Sequence, residues 1–271
     1  MHLNHHELAH SSKEGHNQIM LDPHFTVRPN PDVGFQLVRE TKHFLIINKP
    51  AGLVTQPGRK HQWDSLLNGL FAHYGKALQN LGKKRDFGLL HRLDRPTSGL
   101  ILVGLTIPGY DGLRQQFVDR LIGKTYLTLV HNTPQPPGGT EETPIREMRK
   151  GGRKRAILGY GRGAKEAVTK YGVIVHSGKF SLIKCQPKTG RLHQIRVHMA
   201  HRGCPVVGDT EYGKRTPIDR RMGEDALCLH AAQLDFRHPV SGKHVSANAP
   251  IPAAMLSAIG QVGITCPQKW C

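Results

Sequence analysis

Three short segments combine residue types that can do chemistry on a polyanionic substrate. The first is His91-Arg92-Leu93-Asp94-Arg95-Pro96-Thr97-Ser98-Gly99, set between two apolar runs. It holds one carboxylate, Asp94, near two guanidinium groups in a turn-forming stretch. A turn between strands can present such a side chain at a cleft, where an aspartate is a competent nucleophile or proton acceptor. The same residue can also cap its turn and pair with an arginine. Residue types alone leave both readings open.

The second segment is Lys188-Thr189-Gly190-Arg191-Leu192-His193-Gln194-Ile195-Arg196-Val197-His198. On a helix, Leu192, Ile195 and Met199 share one face, and Gln194 and His198 share another. Arg196 adjoins the apolar face, which allows it to point inward toward a buried acid. A helix start near Thr189 and Gly190 would offer free backbone N–H groups to a phosphate. Of His193, His198 and His201, only the last two have helical ligand spacing, and no acidic base follows the metalloprotease pattern, so no metal site is expected. The third segment is Gly123-Lys124-Thr125-Tyr126. In a strand Lys124 and Tyr126 face the same side, and such a pair can stack on a base and touch its phosphate. A core tyrosine beside a surface lysine has the same spacing.

Short strands and few helices must position these segments. Residues 43–48 form an apolar run ended by Lys49-Pro50-Ala51-Gly52, which reads as a buried strand and a turn. The spacing of Leu66, Leu67, Leu70 and Phe71 predicts a helix over 63–74. A strand over 100–105 follows, then an amphipathic helix over 113–121 with Phe117 and Leu121 inward, and an alternating strand over 124–130. Residues 131–140 read as a Pro- and Gly-rich loop, and 146–162 as a basic, Gly-rich stretch without sustained periodicity. Residues 171–176 and 180–185, split by Ser177-Gly178-Lys179, read as a hairpin. A helix over 193–201, a turn and short strand at 203–209, short strands about 227–229 and 234–236, and a helix over 253–259 complete the pattern. The interleaving argues for a mixed α+β domain rather than a doubly wound sheet.

Residues 1–33 read as a flexible His-rich arm, 34–262 as one catalytic domain and 263–271 as a tail. The arm offers His2, His5, His6 and His10 no rigid frame for a closed metal site. The charge is informative: 38 Lys and Arg against 20 Asp and Glu leave +18. Such an excess is most simply explained by a partner whose phosphates release counterions on binding. No apolar run approaches the ~20 residues of a membrane span, and the N-terminus has no apolar secretory core. The five cysteines include no CxxC pair, which fits free thiols in a reducing, cytoplasmic setting.

Residues 91–99 match, without a departure, the HRLDxxTSG signature of the RluA family of pseudouridine synthases. The chain resembles that family elsewhere too. Asn48-Lys49-Pro50-Ala51-Gly52 is similar to its NKPAG segment and Lys124-Thr125-Tyr126 to its KxY. Residues 189–198 are similar to its TGRxHQIRVH, and 205–213 to its proline, two apolar residues and GDxxYG. Leu229-His230-Ala231, then His238-Pro239 with Gly242, complete a set that runs in family order over roughly residues 35–250.

This resemblance implies a mixed, mainly antiparallel sheet with flanking helices and loops around a central catalytic cleft, in agreement with the pattern above. It also implies isomerisation of uridine to pseudouridine in structured RNA, with no cofactor and no metal. Asp94 then corresponds to the catalytic aspartate, Tyr126 to the tyrosine that stacks on the flipped uracil, and Arg196 to the arginine paired with that aspartate. Arg92 corresponds to the residue that enters the RNA as the nucleotide leaves the stack, and Ile195 to an apolar wall of the base pocket. Lys124, His91 and Thr97 complete the expected substrate-binding set. A monomer acting on a tRNA or rRNA stem-loop is expected. The arm over residues 1–33 is expected to be too short for the small S4 domain of many large-subunit enzymes, and Arg95-Pro96 resembles the tRNA-directed branch. A non-catalytic RNA-binding module would share the charge but has no need of the full motif set. A metal-dependent nuclease would want clustered acids, and Asp94 has no acidic neighbour in sequence.

Overall fold

The computed structural model describes residues 26–222 and 226–270. The histidines at 2, 5, 6 and 10 lie outside the described residues. A nine-stranded sheet is built from β1 (Gln36–Glu40), β2 (Phe44–Lys49), β3 (Ser98–Gly104), β4 (Gly123–His131), β5 (Gly138–Glu141), β8 (Thr169–Ser177), β9 (Phe180–Pro187), β10 (Leu229–Arg237) and β11 (His244–Asn248). A separate hairpin joins β6 (Ile145–Lys150) to β7 (Arg153–Leu158). The strand order is β1-β2-β3-β10-β4-β9-β8-β5, with β11 also paired to β10. The β3–β10 pair is parallel and the other strand pairs are antiparallel. The helices are α1 (Leu66–Leu81), α2 (Ile107–Val118), α3 (Gln194–His201), α4 (Pro217–Arg221) and α5 (Ala253–Gln261). The fold is the mixed α+β arrangement expected.

Strands β2 and β3 do not alternate in polarity because both of their faces are covered. Leu45, Ile47, Ile101 and Val103 pack with Leu66, Leu70 and Leu78 of α1. Phe44, Ile46, Leu100 and Leu102 pack with Tyr110 and Leu113 of α2. A third core joins β4 and β9 to α3 and α5 through Leu129, Ile183, Ile195, Met199 and Met255. Among the described residues no helix is long and apolar enough to cross a membrane.

Several boundaries differ from expectation, each for a local reason. Helix α1 starts at Leu66, not 63, because Ser65 and Asn68 form a capping box. Trp63 stays outside it, with the Arg28 guanidinium 5.0 Å from its ring centre. Helix α2 is capped by Thr106 and ends at Val118, so Leu121 is exposed rather than inward. The basic stretch at 146–162 contains the β6–β7 hairpin, and residues 227–229 and 234–236 straddle and share one strand, β10. The loop at 131–140 ends in β5, and Val206 makes only an isolated bridge to Val130. Ordered packing begins before Gly34: Val27 is buried, and the Asn68 amide donates to the Arg28 carbonyl at 2.8 Å. At the other end Ile264 is buried, and the Ile251 N–H donates to the Trp270 carbonyl, which docks part of the expected tail.

Candidate active site

Asp94 sits in the turn that feeds β3, and this turn is pinned on several sides. Thr55 Oγ1 donates to the Leu93 carbonyl at 2.8 Å and accepts from the Leu93 N–H at 3.2 Å. The Gly52 N–H donates to the Arg95 carbonyl at 2.8 Å. Lys49, fully buried, donates from Nζ to the carbonyls of Pro50, Leu53 and Arg95. Burial pushes its ammonium down to about 7, against the pull of Asp94. The turn can lie flat on the sheet because Gly99 has φ +113°. A Cβ there would fall 2.3 Å from the Ala231 carbonyl oxygen.

From this turn Asp94 faces a cleft of about 650 Å³ lined by Arg92, Thr97, Phe117, Lys124, Tyr126, Ile195 and Arg196, among others. Arg196 Nη1 lies 3.5 Å from Asp94 Oδ2. The same guanidinium forks onto Asp209, with Nε–Oδ2 2.8 Å and Nη2–Oδ1 2.9 Å, and its Nη2 is 3.4 Å from Glu211. Burial works against the Arg196 charge, but the Asp209 bonds and the charges of Asp209, Asp94 and Glu211 outweigh it. Tyr126 projects from β4, where burial first and the Asp94 charge second hold its phenol protonated well above the ordinary range. Lys124, two residues earlier on the same face, is pushed down to about 8 by burial and by Lys188. Its Nζ lies 5.9 Å from the Phe117 ring centre.

The motif residues thus converge, with two differences in how they are used. His91 lines the cleft, yet its Nε2 accepts from the Leu102 N–H at 3.0 Å and its ring tilts against Phe117. Burial and the Lys124 charge hold its imidazole down to about 3, so it is a neutral strut. Thr97 is buried and its N–H donates to the Asp94 carbonyl at 3.0 Å, which tightens the turn. Arg92 is exposed at the cleft mouth, near enough for its charge to act on Glu147 of β6. Ile195 is buried against the cleft. The helix start expected near Thr189 lies instead at Gln194, whose side-chain oxygen accepts from Thr189 Oγ1 and the Arg191 N–H. His198 is a buried strut between Thr169 and the Thr143 carbonyl.

Four residues of the site went unassigned from sequence: Asp209, Glu211, Tyr212 and His193. The first three lie in the Pro205–Gly213 motif, and that motif was their only signal. An acid 13 residues from its arginine has no periodic spacing to betray the pair. A larger cavity of about 780 Å³ lies at the far end of β4, between His131, Phe180 and Ile218. It contains none of Asp94, Tyr126 and Arg196, which all line the smaller cleft.

Comparison with known proteins identifies the family. The family model described as RNA pseudouridylate synthase matches residues 43–201. The chain belongs to this family. It is an RNA-modifying isomerase that converts uridine to pseudouridine. Among its relatives is ribosomal large subunit pseudouridine synthase D of Zymomonas mobilis, 37% identical over 228 residues, which are 83% of this chain and 71% of that one. An uncharacterized RNA pseudouridine synthase of Bacillus subtilis is 36% identical over 81% of this chain and 70% of its own. The solved structure of human RNA pseudouridylate synthase domain containing 4 shares the fold. Its TM-score is 0.67 at 23% identity, over 86% of this synthase and 95% of that chain.

Proposed function

We propose that Asp94 is the catalytic carboxylate of this synthase and that its target lies in ribosomal RNA. The observation that carries the first part is the pairing of a partly accessible Asp94 with Arg196 on the floor of a cleft walled by Tyr126 and Ile195. Uracil must detach from C1′, turn within the pocket and reattach through C5, after which C5 loses its proton. One fixed carboxylate suffices for this exchange, whether it captures C1′, attacks the ring or abstracts a sugar proton. Tyr126 stacks on the flipped base and assists the proton step at C5. Arg92 fills the space that the nucleotide leaves, and Lys124 meets an adjacent phosphate. Unstacking the base costs a few kcal/mol, which contacts to the RNA backbone offset.

The β6–β7 hairpin supplies such contacts. Arg149 is exposed along it and Lys165 lines the cleft mouth, whereas Lys154 is paired with Glu147 at 2.8 Å. Lys83 and Lys84 extend the basic surface, whereas Arg85 is forked onto Asp111. The ribosomal target is supported by the large-subunit RNA enzymes among the relatives, and a monomeric, cytoplasmic enzyme fits that target. Pseudouridine mapping in rRNA and tRNA from cells lacking this gene tests the assignment. A missing rRNA site is expected; loss confined to tRNA overturns it. Tyr126→Phe should slow release of the C5 proton and spare glycosidic cleavage, as single-turnover kinetics would resolve.

A further inference from the structure

His193 stands apart from the rest of the motif set. It precedes α3 with φ +50° and ψ +24°, a left-handed conformation that is uncommon for non-glycine residues, although histidine enters it more readily than most. Such strain collects where the surrounding structure holds a side chain in a required place. The ring is held by Tyr212, whose Oη lies 2.9 Å from Nδ1, and the two rings meet edge to face. Tyr212 Oη also accepts from the Ala156 N–H of β7 at 3.0 Å. A backbone N–H can only donate, so the phenol's own proton is free to go to Nδ1 of His193. With the phenol donating to Nδ1, the neutral ring carries its proton on Nε2, 3.9 Å from Asp94 Oδ2; Glu211 Oε2, 3.4 Å from Nδ1, is the competing acceptor that would favour the other tautomer.

Arg196 addresses the same oxygen, Oδ2. Resting on the reading of Asp94 as the catalytic carboxylate, we propose that His193 is a positioning residue that, with Arg196, clamps Oδ2 and leaves Oδ1 as the reacting oxygen. The 3.9 Å separation closes by a small ring movement, since such bonds commonly tighten only when substrate fills the site. The charged and titratable groups around the ring are Asp94 from the turn, Arg196 from α3, Asp209, Glu211 and Tyr212 from the 209–213 segment, and Arg155 from β7. Burial lowers the His193 imidazole, Asp94 raises it, and Arg196 lowers it again. The net direction is down, so the ring is neutral at neutral pH. Protonation in acid converts the clamp into an ion pair that draws the carboxylate away from the substrate.

The test is the pH dependence of kcat and KM on RNA, from about pH 5 to pH 9, for wild type, His193→Asn and Tyr212→Phe. Asparagine tolerates the left-handed backbone, so this change removes the ring with little added strain. His193→Asn should lower kcat by about 100-fold, the scale of a misplaced catalytic group, with KM nearly unchanged. It should also remove an acid limb that the wild type shows below the ordinary imidazole range. Tyr212→Phe should lower kcat by less, and the double variant should fall no further than His193→Asn alone. Selective ¹⁵N-histidine NMR of the full wild-type chain reads the tautomer independently of turnover, with the His193 proton expected on Nε2. Unchanged kcat in His193→Asn, an unmoved acid limb, or a proton on Nδ1 would each overturn the clamp. Asp94→Asn in the same assay separates the two ideas: turnover there defeats the catalytic reading, whereas its loss beside a fully active His193→Asn defeats only this inference.

Discussion

Arg196 is held by more anionic groups than Asp94 alone, and that asymmetry has consequences. Its two bonds to Asp209 are short and buried, while the contact to Asp94 is longer and reaches into the cleft. Asp209 therefore anchors the arginine, and Asp94 remains available for chemistry. Removing Asp209 leaves the buried guanidinium only the longer contacts to Asp94 and Glu211. Asp209→Asn should cost about 3–5 kcal/mol in urea unfolding and depress kcat as Arg196 loses its anchor; a change in stability below about 1 kcal/mol would show that the pair is not structural. Lys124 yields a pH prediction. With its ammonium lowered to about 8, its contribution to RNA binding is present below that value and is lost as pH rises through it. RNA affinity should weaken between about pH 7 and pH 9, and Lys124→Gln should flatten that dependence in filter-binding titrations.

At the scale of elements, the parallel contact of β3 with β10 sets how near the catalytic turn can approach the sheet. Gly99→Ala would drive a Cβ against the Ala231 backbone in a positive-φ conformation. It should destabilise the fold by more than about 2 kcal/mol, which thermal unfolding would report. A loss within experimental error would mean that the turn can lift freely. Much of this scaffold was legible in the sequence. Apolar runs gave β2 and β3, alternation gave β4, and the Ser177-Gly178-Lys179 turn gave the β8–β9 hairpin. The β6–β7 hairpin was not legible, because its strands are basic and its stability comes from partners distant in sequence, such as Tyr212 on the Ala156 N–H. Helix ends shifted where caps, not periodicity, decided them. Within the site, Asp94, Arg196 and Tyr126 were found through motif order. Residue types alone favoured reading Asp94 as a turn cap. Asp209 and His193 lie in matched motifs, but their partners are distant in sequence, and tertiary contacts assign what they touch.

The whole molecule is a strongly cationic body with Asp94 in its cleft. Its +18 charge suits a polyanionic substrate, and the cleft concentrates Arg92, Lys124 and Arg196 around Asp94, the carboxylate proposed to act there. Affinity should fall linearly with log salt, with a slope near −0.7 to −0.9 for each phosphate neutralised. Arg149→Ala on the exposed face of β6 should reduce that slope by about one and weaken binding evenly across RNA sequences. An unchanged slope would remove the hairpin from the RNA interface.

The most direct test of the central claim is tritium release from RNA labelled at uridine C5, with wild type and Asp94→Asn compared in the presence of EDTA. Release by the wild type that persists in chelator, with none from Asp94→Asn at retained RNA affinity, is the expected result. Turnover by Asp94→Asn would contradict the assignment of Asp94 as the catalytic residue.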